Sequence, residues 1–278
     1  MSEGKYAFEK SKIIQGDCLE KMKLIPDGSV DLVLTDLPYG TTACTWDTCI
    51  DLQKMWEQVE RILTPNGTFI TTASQPFTSA LIMSNPTMFK YEIIWHKSRK
   101  TGHVHAKNKP MKVHENVLVF SKGTTVHKTQ SRNRMKYNPQ GLIEKENKIN
   151  YRPSREIKGS DVVAGHRPSH KNTLISEYTN YPTSIQFFNS EHNVGALHPT
   201  QKPIALFEWL IKTYTDKYDM IVDITAGSGT TGEACINLNR DFILIEKEPN
   251  YYEVIKERVG KIFKNYGLDL QHLLNERM

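Results

Sequence analysis

Two short segments hold the residue types that chemistry would need. Asp223-Ile-Thr-Ala-Gly-Ser-Gly-Thr-Thr-Gly232 follows the apolar run Met220-Ile-Val222 and opens a helical stretch, with glycines spaced Gly-x-Gly-x-x-Gly. Such glycines permit a tight turn and let a ligand approach backbone N–H groups at a helix N-terminus. Glu246 closes the next apolar run, 23 residues after Asp223. A carboxylate there can accept hydrogen bonds from ribose hydroxyls, so the set predicts a nucleoside-cofactor site. The alternative is a glycine-rich turn packed only for steric reasons. The second segment is Thr35-Asp-Leu-Pro-Tyr-Gly40. Asp36 and the carbonyl of Leu37 can accept the two protons of an exocyclic amine, Pro38 stiffens the turn, and Tyr39 offers a flat face to a planar base. Taken alone, without the glycine motif, the tetrapeptide Asp36–Tyr39 reads better as an ordinary strand-ending turn.

Both segments need rigid elements behind them. The run Val30-Asp-Leu-Val-Leu34 predicts a strand that ends at Asp36, and Met220-Ile-Val222 and Phe242-Ile-Leu-Ile245 predict two more. Apolar residues at 52, 55, 56, 59, 62 and 63 have helical spacing, stopped by Thr64-Pro-Asn-Gly67. Further strands are expected at Ile13-Ile14, Thr68-Phe-Ile-Thr-Thr72, Tyr91-Glu-Ile-Ile-Trp95 and Val117-Leu-Val-Phe120, and helices over 204–214, 232–238 and 251–263. Strand–helix alternation of this kind predicts an α/β fold with a doubly wound, mostly parallel sheet covered on both faces. Ligands bind such sheets at the C-terminal ends of strands, where both segments fall.

The 278 residues carry a net charge of +5, unevenly spread. Residues 97–171 hold 18 Lys/Arg against five Asp/Glu, a local balance of +13, so the remainder carries −8. Seven of the ten histidines also fall between His96 and His170. A basic middle in an acidic body suits a nucleic-acid-facing insert, and equally a solvated loop. No apolar run approaches the 18 or so residues that span a bilayer, so a membrane partner is not expected. The first residues form neither a basic n-region nor an apolar h-region, and four cysteines (Cys18, Cys44, Cys49, Cys235) suit reduced thiols, so a cytoplasmic location is expected. Cys44 and Cys49 lack a second pair at zinc spacing, and the histidines lack companion carboxylates, so no metal is expected. Trp46 reads as core or as a wall of the pocket mouth.

Asp36-Leu-Pro-Tyr39, the basic segment, His198-Pro-Thr-Gln-Lys-Pro203 and Asp223 to Gly229, in that order, resemble the amino-directed DNA methyltransferases of the permuted β class. The resemblance runs from Ile13 to about Val259 and matches residues 124–193 only loosely. It implies a Rossmann-like fold and transfer of a methyl group from S-adenosylmethionine to an exocyclic base nitrogen, with no metal. The pocket would be Asp36, Leu37, Pro38 and Tyr39. The cofactor would be held by Asp17, Thr200, Lys202, Pro203, Asp223, Thr225, Gly227, Gly229 and Glu246. Two positions depart from the family's pattern: Leu37 stands for its first Pro, and Thr225 for its usual Phe.

The resemblance further implies a catalytic half over 1–123, a target-recognition insert over 124–193 and a cofactor half over 194–278. The expected partner is double-stranded DNA; a homodimer and a cognate restriction enzyme are compatible with it. Asp at position 36 favours adenine N6 as the acceptor over cytosine N4. Methylation of RNA or of protein glutamine fits the motif order less well. The Pro-Cys pair of cytosine-C5 enzymes is absent, because none of the four cysteines follows a proline. A catalytically inactive DNA-binding relic is the rival of a different class, opposed by Asp36 and Glu246.

Overall fold

The structure, a computed structural model of the chain, describes residues 8–40, 49–126, 133–146, 148–151, 173–190 and 201–274. In chain order the elements are β1 (Lys12–Gln15), α1 (Cys18–Lys21), β2 (Val30–Thr35), α2 (Leu52–Ile62), β3 (Leu63–Ala73), α3 (Phe77–Ser84), β4 (Phe89–Thr101) and β5 (Lys112–Ser121). Short strands follow at β6 (Ile143–Glu144), β7 (Ile149–Tyr151), β8 (Thr173–Ile175) and β9 (Tyr178–Thr179). Then come β10 (Ile185–Phe188), α4 (Ile204–Tyr214), β11 (Met220–Asp223), α5 (Thr230–Leu238), β12 (Asp241–Glu246) and α6 (Pro249–Tyr266).

Among the described residues, eight strands form one sheet in the order β1-β12-β11-β2-β3-β5-β4-β10. All run parallel except β5, which is antiparallel to both β3 and β4. Successive strand residues turn to opposite faces. Leu32, Leu34, Ile221, Phe242, Leu244, Val117 and Val119 enter one core with α4, α5 and α6. Val33, Val222, Ile243, Ile245, Leu118 and Phe120 enter the other, with α1, α2 and α3. Covering both faces explains why these strands read as continuous apolar runs rather than alternating ones.

Local chemistry sets the helix starts. Asp51 caps α2 by accepting from the Lys54 N–H at 3.2 Å, and Met55, Trp56, Val59 and Ile62 form its buried stripe. Differences from the sequence expectation lie in element lengths, in short helices and in the strands β6–β10, which were not expected. The turn at Thr64-Pro-Asn-Gly67 ends α2 but does not interrupt β3. The chain takes up the extra residues as a register shift, with Val30 opposite Leu63 and Leu32 opposite Thr68. The expected strands at 91–95 and 117–120 are the inner parts of a much longer hairpin, β4–β5. α3 was hidden because Phe77-Thr-Ser-Ala-Leu-Ile-Met-Ser84 has no polar face to create a period.

The chain divides into two compact units, Met1–Asn138 with Ser184–Met278, and Pro139–Thr183. The second unit lies inside residues 124–193, the expected insert, and is narrower than that range, because β10 pairs with β4 in the large sheet and Asn138 bonds to Thr213. Taken alone, the smaller unit has two antiparallel ribbons, β6 with β9 and β7 with β8. Asn180 donates to the Gly141 carbonyl at 2.7 Å within it. Among the described residues, no helix is long and apolar enough to cross a membrane.

Candidate active site

β2 lies between β11 and β3, and its C-terminal end delivers Asp36 to the carboxyl edge of the sheet. Leu37 turns its side chain into the core at 3 % exposure, which fixes the turn. Asp36 Oδ1 accepts from the Tyr39 hydroxyl at 2.9 Å and from the Thr72 hydroxyl at the end of β3. The Tyr39 hydroxyl also lies 3.0 Å from Thr72 Oγ1. The Tyr39 ring stacks on Phe77, with centroids 5.3 Å apart and planes 25° apart. Burial, and then the neighbouring Asp36 charge, push the phenol well above its ordinary pKa, so Tyr39 stays a neutral donor.

Asp36 Oδ2 accepts from the Lys202 ammonium, which the chain delivers just before α4, where Pro203 is the N-cap. Lys202 is buried, and its ammonium is also 3.9 Å from Glu115 Oε2 on β5. Glu115 Oε1 in turn accepts from Lys97 on β4 at 2.7 Å. Burial opposes the Lys202 charge, but Asp36 and Glu115 outweigh it and hold the ammonium above the usual lysine range. Burial likewise opposes the Glu115 charge, yet Lys202, Lys97 and Lys112 hold that carboxyl below its usual range. The ammonium expected at the methionine end of a cofactor therefore rests on Asp36.

The glycine turn occupies the ends of β11 and β12, next to β2. Asp223 is 3 % exposed and accepts from the Thr225 N–H at 3.1 Å and from the Thr231 hydroxyl. Burial raises its pKa to about 7. Glu246 ends β12, and its two oxygens accept the backbone N–H groups of Gly227 at 2.7 Å and Glu248 at 2.8 Å. Gly227 and Gly229 both hold positive φ, at +53° and +76°. A Cβ on Gly229 would meet Ile255 of α6 at 3.3 Å, so this glycine serves helix packing as well as the turn. Asp17 follows β1, beside β12, and caps α1 by accepting from the Leu19 N–H at 2.9 Å; its carboxylate is half exposed. Thr200, His198, Cys44 and Trp46 lie outside the described residues.

One side chain joins the two turns. Thr225 Oγ1 donates to the backbone carbonyl of Asp36 at 3.0 Å and lies 2.6 Å from Thr35 Oγ1. At the position where the resemblance led one to expect an apolar ring, a hydroxyl links the candidate cofactor loop to the candidate catalytic strand end. Thr72, Glu115, Lys97, Thr35 and Thr231 were not singled out by sequence reasoning. A signal existed for one of them: Glu115 is the sole acidic residue between Glu92 and Glu144, within a strongly basic stretch. Among the described residues, no cluster of His, Cys, Asp or Glu could hold a metal ion.

The sheet order, the single reversed strand and the two turns at one edge define a Rossmann-like methyltransferase fold. The chain belongs to the N6/N4 DNA methylase family, whose sequence model matches residues 30–257. Among its relatives, the type II methyltransferase M.HpaI of Haemophilus parainfluenzae is 24 % identical over 268 residues, 92 % of this chain and 76 % of that protein. The DNA adenine methyltransferase YhdJ of Escherichia coli K12 is 26 % identical over 262 residues, 90 % of this chain and 83 % of its own. Among solved structures, the cytosine-N4-specific PvuII DNA methyltransferase superposes with a TM-score of 0.61, at 17 % identity and 95 % coverage of each chain. That likeness concerns the fold.

Proposed function

We propose that the chain transfers a methyl group from S-adenosylmethionine to the N6 amine of an adenine in duplex DNA. The observation that carries this reading is the Asp36 carboxylate, held at the end of β2 beside Tyr39 and joined through Thr225 to the glycine turn. The residues fit the cofactor. Glu246 accepts backbone N–H groups from its own turn, and the roughly four acceptor sites of a carboxylate leave room for a ribose hydroxyl. Asp223, Thr225, Gly227 and Gly229 shape the turn that would receive it; Asp17 and Pro203, and Thr200 outside the described residues, are proposed to contribute to holding it. When bound, S-adenosylmethionine supplies an electrophilic methyl group on a sulfonium that departs as a neutral thioether.

The chain's own residues would then handle the amine. Its lone pair is delocalised into the base, so it attacks only when its protons are held out of that conjugation. A carboxylate has about four acceptor sites. Three on Asp36 are taken by Tyr39, Thr72 and Lys202, which leaves one for an amine N–H. The Leu37 carbonyl takes the second N–H. As the nitrogen gains its methyl group it sheds a proton, which Asp36 receives and passes to solvent. The target base must leave the duplex stack to reach this edge, at a cost of roughly a few kcal/mol.

Cytosine N4 carries the same kind of amine, and the PvuII neighbour is a cytosine-N4 enzyme. Asp36 and the similarity to YhdJ favour adenine. Residues 124–193 are proposed as the target-recognition insert between a catalytic half, 1–123, and a cofactor half, 194–278. The test is tritium transfer from labelled cofactor to duplex DNA, followed by nucleoside mass spectrometry. N6-methyladenine from the wild type, lost by a factor of about 100 or more in Asp36→Ala with cofactor affinity retained, is expected. N4-methylcytosine would reassign the base, and full activity of Asp36→Ala would overturn the mechanism.

A further inference from the structure

The β4–β5 hairpin extends beyond anything the amine chemistry uses. β4 is parallel to β2, β11 and β12, so its C-terminal end lies on the same sheet edge as Asp36, Asp223 and Glu246. β3 stops at Ala73, opposite Asn116, while β4 and β5 stay paired through His96 and His114 to Thr101 and Lys112. The four residues 112–115 therefore carry the hairpin roughly 14 Å past the end of β3.

The tip is ordered by its own hydrogen bonds. Gly102 has φ +92°, the turn His103–His105 is 3-10 helical, and the Asn108 N–H donates to the His105 carbonyl at 2.8 Å. Val104, at the crest, is 91 % exposed, more than any other large apolar side chain among the described residues. Around it, residues 97–112 carry six Lys/Arg and no Asp or Glu. Side chains tie the stem back to the candidate site, through the ion pair of Lys97 with Glu115, the Lys202 ammonium beyond it, and the bond from Lys112 to Ser74.

An apolar side chain held in water on a hydrogen-bonded tip whose flanking residues 97–112 carry cations and no acid suits one partner, a polyanion with an apolar interior. We propose that this hairpin is a strand wedge for duplex DNA. Its cations hold the phosphates around the target, and Val104 enters the stack at the place the extruded base vacates. The inference rests on the base-flipping reading above and adds to it the element that opens the duplex.

Its test uses the full-length protein and a duplex carrying a site mapped by sequencing DNA from expressing cells. Methylation by the wild type, Val104→Ala and Val104→Asp is compared on that duplex and on one with the target base opposite an abasic position, where unpairing is already done. Both variants should fall about tenfold or more in kcat/KM on the paired duplex and less than about twofold on the unpaired one. Fluorescence of 2-aminopurine at the target position should brighten less on binding of either variant. Equal losses on both duplexes, or none, would overturn the wedge while leaving the methyltransferase reading intact. A wild type that methylates no DNA would remove that reading, and the wedge with it.

Discussion

At the scale of single residues, Lys202 is where the family resemblance and the geometry point in different directions. The resemblance puts it at the methionine end of the cofactor, whereas its ammonium lies on Asp36 with Glu115 behind it. Removing one partner from a buried pair leaves the other charge uncompensated, at a cost of about 3–5 kcal/mol. Lys202→Met should therefore lower the unfolding free energy by that order in urea titration. It should also reduce kcat at saturating cofactor far more than it weakens cofactor binding, and Lys202→Arg should restore part of the rate. A weaker cofactor Kd with an unchanged kcat would return Lys202 to the role the resemblance gave it. The pairing was not legible in the sequence because it joins residues 166 positions apart. The bond from Thr225 to the Asp36 carbonyl spans 189. Asp36, Tyr39, Glu246 and the glycine turn were legible because each sits at the end of an apolar run in a short, recognisable segment of sequence.

At the scale of elements, the strand–turn–helix unit from β11 to α5 separates two roles, packing and ligand binding, within one turn. Gly229 needs φ +76° and has Ile255 at 3.3 Å from where a Cβ would sit. Gly232 has Leu244 Cδ1 at 2.7 Å, so the third glycine lets α5 lie close on β12. Glu246 instead presents its carboxylate across the turn. Gly229→Ala should accordingly cost about 1–2 kcal/mol of stability from its left-handed backbone. Glu246→Ala should weaken S-adenosylmethionine binding by about 1–3 kcal/mol, the range for a lost charge-assisted hydrogen bond. Urea titration and calorimetry measured on both variants would distinguish these outcomes. A Gly229→Ala protein with full stability would show that the turn tolerates a side chain, and unchanged affinity in Glu246→Ala would move the ribose elsewhere. Element existence followed well from apolar runs, since strands buried on both faces announce themselves. Length did not. The outer half of the β4–β5 hairpin is solvated and basic, and strand pairing there owes nothing to apolar periodicity.

At the scale of the molecule, the +13 window resolves into two parts of similar charge. Residues 97–123 hold seven Lys/Arg and one acid, and residues 124–171 hold eleven and four. The first part contains the outer part of the β4–β5 hairpin, at the same sheet edge as Asp36, and the second contains most of the unit Pro139–Thr183. If both meet DNA, they should do so for different ends, because phosphate contacts position a protein and base contacts specify the sequence. Neutralising Lys100, Lys107 and Lys109 together should weaken binding to every duplex alike. It should also flatten the plot of log K against log salt by up to about 3, since each phosphate contact contributes roughly 0.9 to the slope. The set of modified sites in the DNA of expressing cells should stay the same. Neutralising Lys or Arg residues between Lys128 and Lys171 should reduce the salt slope as well, but with a change in which sites are modified and little change in cofactor affinity. Salt-titrated binding and sequencing of modified bases, run on both sets, separate the two roles. An insert variant with a flattened slope and an unaltered site preference would make that segment a phosphate clamp, and the search for sequence readout would turn to the hairpin.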